Sequence, residues 1–251
     1  MTEQEFEAIL RQAMQPEILP EETVVRGMRS GKGNIINMKN ILKKACFAAA
    51  LMALLTTTVY AANGLNIKTL IGGRASRMYK TVQQAEEKAG FEMDDLDVFS
   101  NGYRFAGAYV GETRALDEQD KVRLIYNEIE VKLVNAEGEE LILNAHEAQD
   151  GVAVSDTGPD QVRRLGDTTL EYRLHHYKFV PENYELTDRD KSMVEQPGYY
   201  ISYGSESIEE NDVAFLNWEK DGICYTLMDS DGSETAESLF AMAEELILSG
   251  K

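Results

Sequence analysis

The sequence predicts an α+β fold: a curved antiparallel sheet with a helix near each end of an outer domain, preceded by one transmembrane helix. Three observations predict it. Apolar and polar residues alternate in several segments between 103 and 228, which is typical of strands. Segments with helical spacing flank them on both sides, and an uncharged run lies before them at 45–67. A sheet with a helix near each end is therefore the expected architecture.

Charge divides the chain of 251 residues into three parts. Residues 1–44 carry a net charge of +1, residues 45–67 carry none, and residues 68–251 carry −20, for a total of −19. A pI near 4.6 removes the attraction that drives nucleic-acid binding, so the sequence argues against DNA or RNA as a partner. Two cysteines and three histidines leave little for a disulfide framework or a histidine-rich metal site.

The uncharged segment 45–67 predicts a membrane-spanning helix. Its 23 residues would extend about 34 Å as a helix, against a bilayer core of roughly 30 Å. The bases that precede it predict a cytoplasmic tail at 1–44 and an extracellular domain at 68–251. A second interpretation stays open, because residues 38–61 have the basic start and apolar centre of a signal peptide. Cleavage near Ala61 would then release a secreted protein.

The start of the tail predicts a short amphipathic helix over residues 2–14. Thr2 and Glu5 have the spacing of a capping box, and Pro16 ends the segment. Four apolar residues fall on one face: Phe6, Ile9, Leu10 and Ala13. This face is either a docking site for a cytosolic regulatory protein or a frayed terminal segment.

The first half of the outer domain predicts one helix followed by strands. The helix covers Ser76–Ala89, and Gly90 has the position of a left-handed C-terminal residue with Phe91 packing back. Strands are expected over Tyr103–Val110 and Lys121–Val134. The alternation changes phase near Asn127, which predicts a bulge or a strand covered on both sides.

The middle of the domain predicts a hairpin, a loop and another strand. Residues 136–139 form the turn into a strand at 141–143, and residues 150–160 form a loop. A strand follows over Leu165–Val180. The polar segment 181–198 predicts a long exposed connection.

The last fifty residues predict three strands and a helix. The strands are Tyr199–Gly204, Val213–Glu219 and Ile223–Met228, with a tight turn at 220–222. The helix runs from about Thr235 to Leu248 and is closed by Gly250. Its apolar stripe comprises Leu239, Met242, Ala243 and Leu246, with Phe240 and Ile247 beside it.

Aromatic residues are concentrated in the C-terminal sheet. They include Trp218, Tyr225, Tyr199, Tyr200 and Tyr203. Core packing explains them most simply. The alternative is an apolar groove for a lipid, a peptide or a partner strand, for which Trp218, Tyr225, Tyr200 and Tyr203 are the candidate ligand-binding residues.

The sequence predicts no catalytic, metal or cofactor site. Residues 229–234 resemble half of a calcium loop, but its twelfth position is Phe240 rather than an acid. His175 and His176 are adjacent in a strand, so they point to opposite faces and cannot chelate one ion. His146, near Glu147 and Asp150, has no nucleophile motif beside it.

The chain resembles a group of single-pass membrane proteins of clostridial-type Gram-positive bacteria with an outer domain of unknown function. The matching residues are these: Glu3, Phe6, Leu10, Ala13 and Pro16 in the tail; Ala89-Gly90-Phe91; Asn101-Gly102-Tyr103; Trp218, Gly222, Tyr225 and Leu227; and Glu237 with Leu239. The resemblance implies a regulatory or envelope-binding role, similar to anti-sigma regulators or lipoprotein carriers. The tail departs from zinc-containing anti-sigma factors, since no His or Cys precedes Cys46.

These observations favour a non-enzymatic, membrane-anchored sensing or binding protein that regulates a cytosolic partner through its tail. The alternative is a secreted or anchored carrier that binds an apolar ligand, lipid or peptide, on the curved sheet.

Overall fold

The computed structural model describes residues 77–115, 121–149 and 158–250, together with the backbone of 67–74 and 116–117. The tail with Phe6, Ile9, Leu10 and Ala13, and the predicted transmembrane segment up to residue 66, lie outside the described residues. The first strand begins at Ile67, the last residue of the predicted span.

In the described part of the chain, nine strands form one open, mostly antiparallel sheet, which confirms the α+β class. The strands are β1 (Ile67–Arg74), β2 (Arg104–Asp117), β3 (Val122–Val134), β4 (Glu140–Glu147), β5 (Gln161–Leu165), β6 (Thr168–Val180), β7 (Tyr199–Tyr203), β8 (Glu209–Lys220) and β9 (Ile223–Asp229). Their order across the sheet is β1-β2-β3-β4-β9-β8-β6-β5, and β7 pairs with β6 beside β5. The pair β6–β7 is parallel, and every other pair is antiparallel.

Three described helices accompany the sheet: α1 (Val82–Ala89), α2 (Asp188–Met193) and α3 (Ala236–Ser249). Helix α1 starts later than predicted, because the Thr81 side chain caps it by accepting a hydrogen bond from the Gln84 amide at 3.3 Å. Gly90 ends it with φ +92°, as predicted, and its N–H donates to the Glu86 carbonyl at 2.8 Å. Helices α1 and α3 lie near the two ends of the described domain, in agreement with the prediction.

One face of the sheet and the helices α1 and α3 enclose the main core. Helix α1 packs on β2 and β3, and α3 packs on β8. The predicted stripe of α3 is buried, including Leu239, Met242 and Leu246. Burying each of these side chains stabilises the fold by roughly 2 kcal/mol. The core continues across the sheet through Ile129, Val131, Leu133, Leu141, Leu143, Leu170, Leu216, Trp218, Tyr225 and Leu227.

Two predicted segments are confirmed in part. The strand predicted at Leu165–Val180 is β6 over Thr168–Val180, but its first residues belong to the end of β5 and the turn at Gly166 and Asp167. The segment 181–198 is a mostly exposed connection, as predicted, but it also contains α2, whose Asp190 is buried. A parallel pair needs a crossover between its strands, and this segment is the crossover from β6 to β7.

Of the two alternatives predicted near Asn127, a bulge or a strand covered on both sides, the described pairing of β2 with β3 excludes the bulge. The pairing of β2 with β3 runs without a shift from Gly107–Lys132 to Ala115–Leu124, and its irregularities lie beyond these two pairs. The change of alternation instead follows burial. Ile129, Val131 and Leu133 are buried on the helix side, whereas the first half of β3 is half-buried or exposed.

The turn predicted between β8 and β9 is confirmed. Asp221 and Gly222 both have positive φ (52° and 78°), as a two-residue hairpin turn between β8 and β9 requires. Strand β8 begins at Glu209 and is therefore longer than the predicted strand Val213–Glu219.

Candidate functional site

The face of the sheet opposite α1 and α3 carries an aromatic cluster where β6, β7 and β8 meet. Alternate residues of a strand point to opposite faces. Leu170 and Tyr172 of β6 therefore join the main core, whereas the odd-numbered residues of β6 point away from it. We define the aromatic cluster as five side chains on this second face: His175, Tyr177 and Phe179 of β6, Tyr200 of β7 and Phe215 of β8.

The five rings of the aromatic cluster contact one another. The centroid of the His175 ring lies 5.1 Å from that of Phe215 and 5.2 Å from that of Tyr200. Tyr177 stacks on Tyr200 at 5.1 Å with 23° between the rings, and Phe179 follows at 6.1 Å. Phe179, His175 and Phe215 are buried, while the two tyrosines are half-buried. Such pairs contribute about 0.5–1.5 kcal/mol each beyond area burial, so the cluster stabilises this face of the sheet.

Ser202 adds an unsatisfied polar group to this cluster. It pairs with Phe179 across β6 and β7, so its side chain points to the same face. Only 8% of Ser202 is exposed, and its Oγ has no hydrogen-bond partner among the described residues. Buried hydroxyl groups in native proteins nearly always have a partner.

Strand β7 also forms part of the sheet edge. Among the described strands it pairs only with β6, at residues 176–180. Strand β5 lies on the same side of β6, further along, and pairs with residues 168–172. The two short strands together therefore complete the edge beside β6.

The four ligand-binding candidates from the sequence do not form one group. Trp218 and Tyr225 stack at 5.1 Å with 7° between their rings, inside the main core. The Tyr225 hydroxyl accepts a hydrogen bond from the Asp94 amide at 2.8 Å, and burial raises its pKa to about 12. Tyr200 belongs to the aromatic cluster on the opposite face. Tyr203 lies at the end of β7 and is 46% exposed.

The three histidines have separate environments. His175 and His176 point to opposite faces, as predicted. His176 stacks on Tyr199 at 4.9 Å, and its Nδ1 lies 2.7 Å from an Asp212 carboxylate oxygen. Its Nε2 lies 3.7 Å from the Glu210 carboxylate, so His176 sits between two acids.

His146 has different neighbours from those suggested by the sequence. Its ring lies 4.9 Å from the Tyr126 ring, and its Nδ1 lies 2.9 Å from the Glu147 carbonyl oxygen. Burial raises the pKa of Glu128, although nearby His146 and a 3.0 Å hydrogen bond from Thr113 favour its charged form. Glu128 was missed from the sequence because it comes close to His146 only through the pairing of β3 with β4.

The acidic turn after β9 serves the local backbone. Asp229 is fully buried and accepts hydrogen bonds from the amides of Asp231 at 3.2 Å and Glu234 at 2.8 Å. Its carboxylate thus stabilises the turn that leads into α3. Across the described residues, no group of three or more His, Cys, Asp or Glu side chains is arranged to hold a metal ion.

No protein-family model, curated protein or solved structure matches this chain. In the described part of the chain, none of the helices combines the length and the apolar character that a membrane span requires.

Proposed function

We propose that this chain is a non-enzymatic, membrane-anchored binding protein whose outer domain binds its ligand at the aromatic cluster. The observation that carries the proposal is the buried Ser202 hydroxyl without a partner beside five clustered rings. A buried hydroxyl without a partner costs about 1–3 kcal/mol, which a hydrogen bond to a ligand would offset.

The titratable side chains support binding rather than catalysis. The Cys224 thiol has a pKa raised to about 11 by burial and by nearby Glu219, so it is protonated at neutral pH and a poor nucleophile. His175 is packed among aromatic rings, and His176 stacks on Tyr199 between two carboxylates. Neither arrangement places an activated nucleophile next to a base, which acyl or group transfer would need.

The membrane anchor and the signalling role rest on the sequence. The uncharged run 45–67 and the bases before it support an anchor with a cytoplasmic tail. The apolar face of residues 2–14 supports binding of a cytosolic regulatory protein. The resemblance to clostridial-type single-pass proteins supports the same arrangement, in which ligand binding outside alters the partner inside.

The anchor is tested by producing the full chain with a C-terminal tag in a Gram-positive host. We expect a full-length product in the membrane pellet. A soluble product that is about sixty residues shorter would show cleavage near Ala61 and would overturn the anchor.

The tail is tested by cross-linking in the same host with the variant Phe6→Asp/Leu10→Asp. We expect the double variant to lose a cross-linked partner that the wild type and a Glu3→Gln/Glu7→Gln control both retain, because only the double variant disrupts the apolar face. Identical cross-links in all three proteins would contradict the signalling role.

A further inference from the structure

The two short strands at the sheet edge differ in how they are protected. Exposed edges invite pairing with other chains, and native proteins protect them with charged side chains. Strand β5 carries two arginines in five residues. Arg163 bonds to Glu237 at 2.6 Å and Glu244 at 3.1 Å, and Arg164 is exposed. Strand β7 has the sequence Tyr-Tyr-Ile-Ser-Tyr, without any charge, although it lies on the same edge.

The residues of β7 favour an extended partner. Tyrosine and isoleucine have high β-propensity, so the strand is a good template for a further strand. Tyr203 is largely exposed, and Ile208 just beyond β7 is exposed as well. The unpartnered Ser202 hydroxyl lies within the strand itself. An edge strand with these properties and no charged residue has the character of a docking strand rather than a protected edge.

The chain segments before and after β7 in the sequence are strongly acidic. Residues 181–212, which include β7 and the segments on both sides of it, contain nine acidic and two basic side chains. The acids are Glu182, Glu185, Asp188, Asp190, Glu195, Glu206, Glu209, Glu210 and Asp212, and the bases are Arg189 and Lys191. Only Asp190 among these acids is buried, paired with Lys178 at 2.6 Å. The other carboxylates would attract a basic partner and repel an acidic one.

We propose that β7 is a strand-addition site that takes an extended, basic segment of a partner polypeptide. This inference rests on the proposed binding function and names its partner class. Main-chain hydrogen bonds to the outer edge of β7 would hold the segment, and alternate side chains would reach Ser202 on one face and Tyr203 on the other. Lysine or arginine side chains of the segment would meet the surrounding carboxylates, which sets the preference for a basic sequence.

The proposal is tested with three labelled octapeptides and the full-length protein in detergent micelles. One peptide alternates lysine with valine, the second alternates glutamate with valine, and the third is the basic peptide with every second amide N-methylated along one edge. Binding is measured by fluorescence anisotropy. We expect the basic peptide to bind at least about tenfold more tightly than the acidic one, with an affinity that falls as salt rises.

The N-methylated peptide tests the strand pairing itself. Because methylation along one edge removes the donors of that edge, we expect binding to fall by about tenfold or more if the peptide pairs with β7. Equal binding of the methylated and unmethylated basic peptides would overturn strand addition. Equal affinities for the basic and acidic peptides would overturn the preference for a basic partner. So would the absence of binding by either peptide.

A matched pair of lysine variants locates the site. Tyr203→Lys places a charge on β7, and Val162→Lys places one on β5, where the native residue is 55% exposed. We expect Tyr203→Lys to weaken binding of the basic peptide by about tenfold and Val162→Lys to leave it unchanged. Both positions are exposed, and fluorescence of Trp218, the only tryptophan in the chain, reports that each variant is folded. An equal loss in both variants would contradict a site at β7.

Native mass spectrometry of the same protein separates this inference from the proposed function. A lipid that co-purifies with the wild type and is lost in Tyr200→Ala would support a ligand site at the aromatic cluster and would overturn the peptide partner. Absence of both lipid and peptide binding, with Trp218 fluorescence unchanged, would overturn the proposed ligand site as well.

Discussion

Cys224 shows how a single residue of β9 is kept unreactive by its position. It pairs with Glu219 of β8, and its thiol is partly buried. Burial and, to a smaller extent, the negative charge of Glu219 raise the pKa of the thiol to about 11. The thiolate is the reactive form, and an ordinary cysteine has a pKa of about 8.5, so the reactive fraction at neutral pH is roughly three hundredfold lower.

We therefore predict slow alkylation of Cys224. In a Cys46→Ala background, iodoacetamide at pH 7.5 should modify Cys224 roughly three hundredfold more slowly than it modifies the urea-unfolded chain. The rate should rise steadily as the pH approaches 11. Glu219→Gln should increase the rate modestly, whereas Glu147→Gln, a control outside β8 and β9, should not. Alkylation of the folded protein at the unfolded rate would contradict this account of the thiol.

At the level of elements, a buried network attaches α2 to β6. The Lys178 Nζ donates to Asp190 at 2.6 Å and to the Tyr184 hydroxyl at 3.0 Å. Thr187 caps the helix through a capping box with Asp190. The hydrogen bond from Lys178, with those from Thr187 and Tyr184, holds the pKa of the Asp190 carboxyl well below its usual range. The hydrogen bonds with Asp190 and, to a smaller extent, with Tyr184 raise the pKa of Lys178.

Removing Asp190 should release α2 from the sheet. Asp190→Ala leaves the Lys178 ammonium buried without its carboxylate, which is costly. We expect amide hydrogen exchange across residues 184–194 to become at least roughly tenfold faster. Lys191→Ala removes an exposed pair with Asp188 on the same helix and should change exchange very little. Equal protection in Asp190→Ala and wild type would show that other contacts hold α2.

Elements with local signals could be predicted from the sequence, and elements that depend on distant contacts could not. Gly90, the turn at Asp221 and the stripe of α3 are local, and all three predictions are confirmed. The parallel pairing of β7 depends on the crossover through α2, which the polar composition of 181–198 concealed. The same limit applies to the site, because only the strand pairing shows that Tyr200 and Trp218 lie on opposite faces.

On the scale of the whole molecule, one sheet serves two different purposes. Its helix-covered face supplies the main core, in which Trp218 stacks on Tyr225. Its second face collects the aromatic cluster and the Ser202 hydroxyl at the edge formed by β7. Neither Tyr203 nor Ser202 belongs to the main core. We therefore expect substitutions at these two positions to test the proposed binding site while the main core stays intact.

Asp229, where β9 ends and the turn into α3 begins, makes global stability depend on pH. Burial raises the pKa of Asp229 to about 6, against two backbone hydrogen bonds that favour its charged form. The folded state therefore retains a proton that the unfolded chain loses near pH 4. The contribution of Asp229 to the free energy of unfolding is largest below pH 4 and falls as the pH rises to about 6. The loss is about 3 kcal/mol.

We expect urea unfolding of the full chain in micelles, followed by Trp218 fluorescence, to show this decline. Asp229→Asn should flatten it, since the amide cannot ionise, although one backbone hydrogen bond is lost. Asp221→Asn, an exposed control in the neighbouring hairpin turn, should leave the decline in place. An unchanged decline in Asp229→Asn would assign it to other carboxylates.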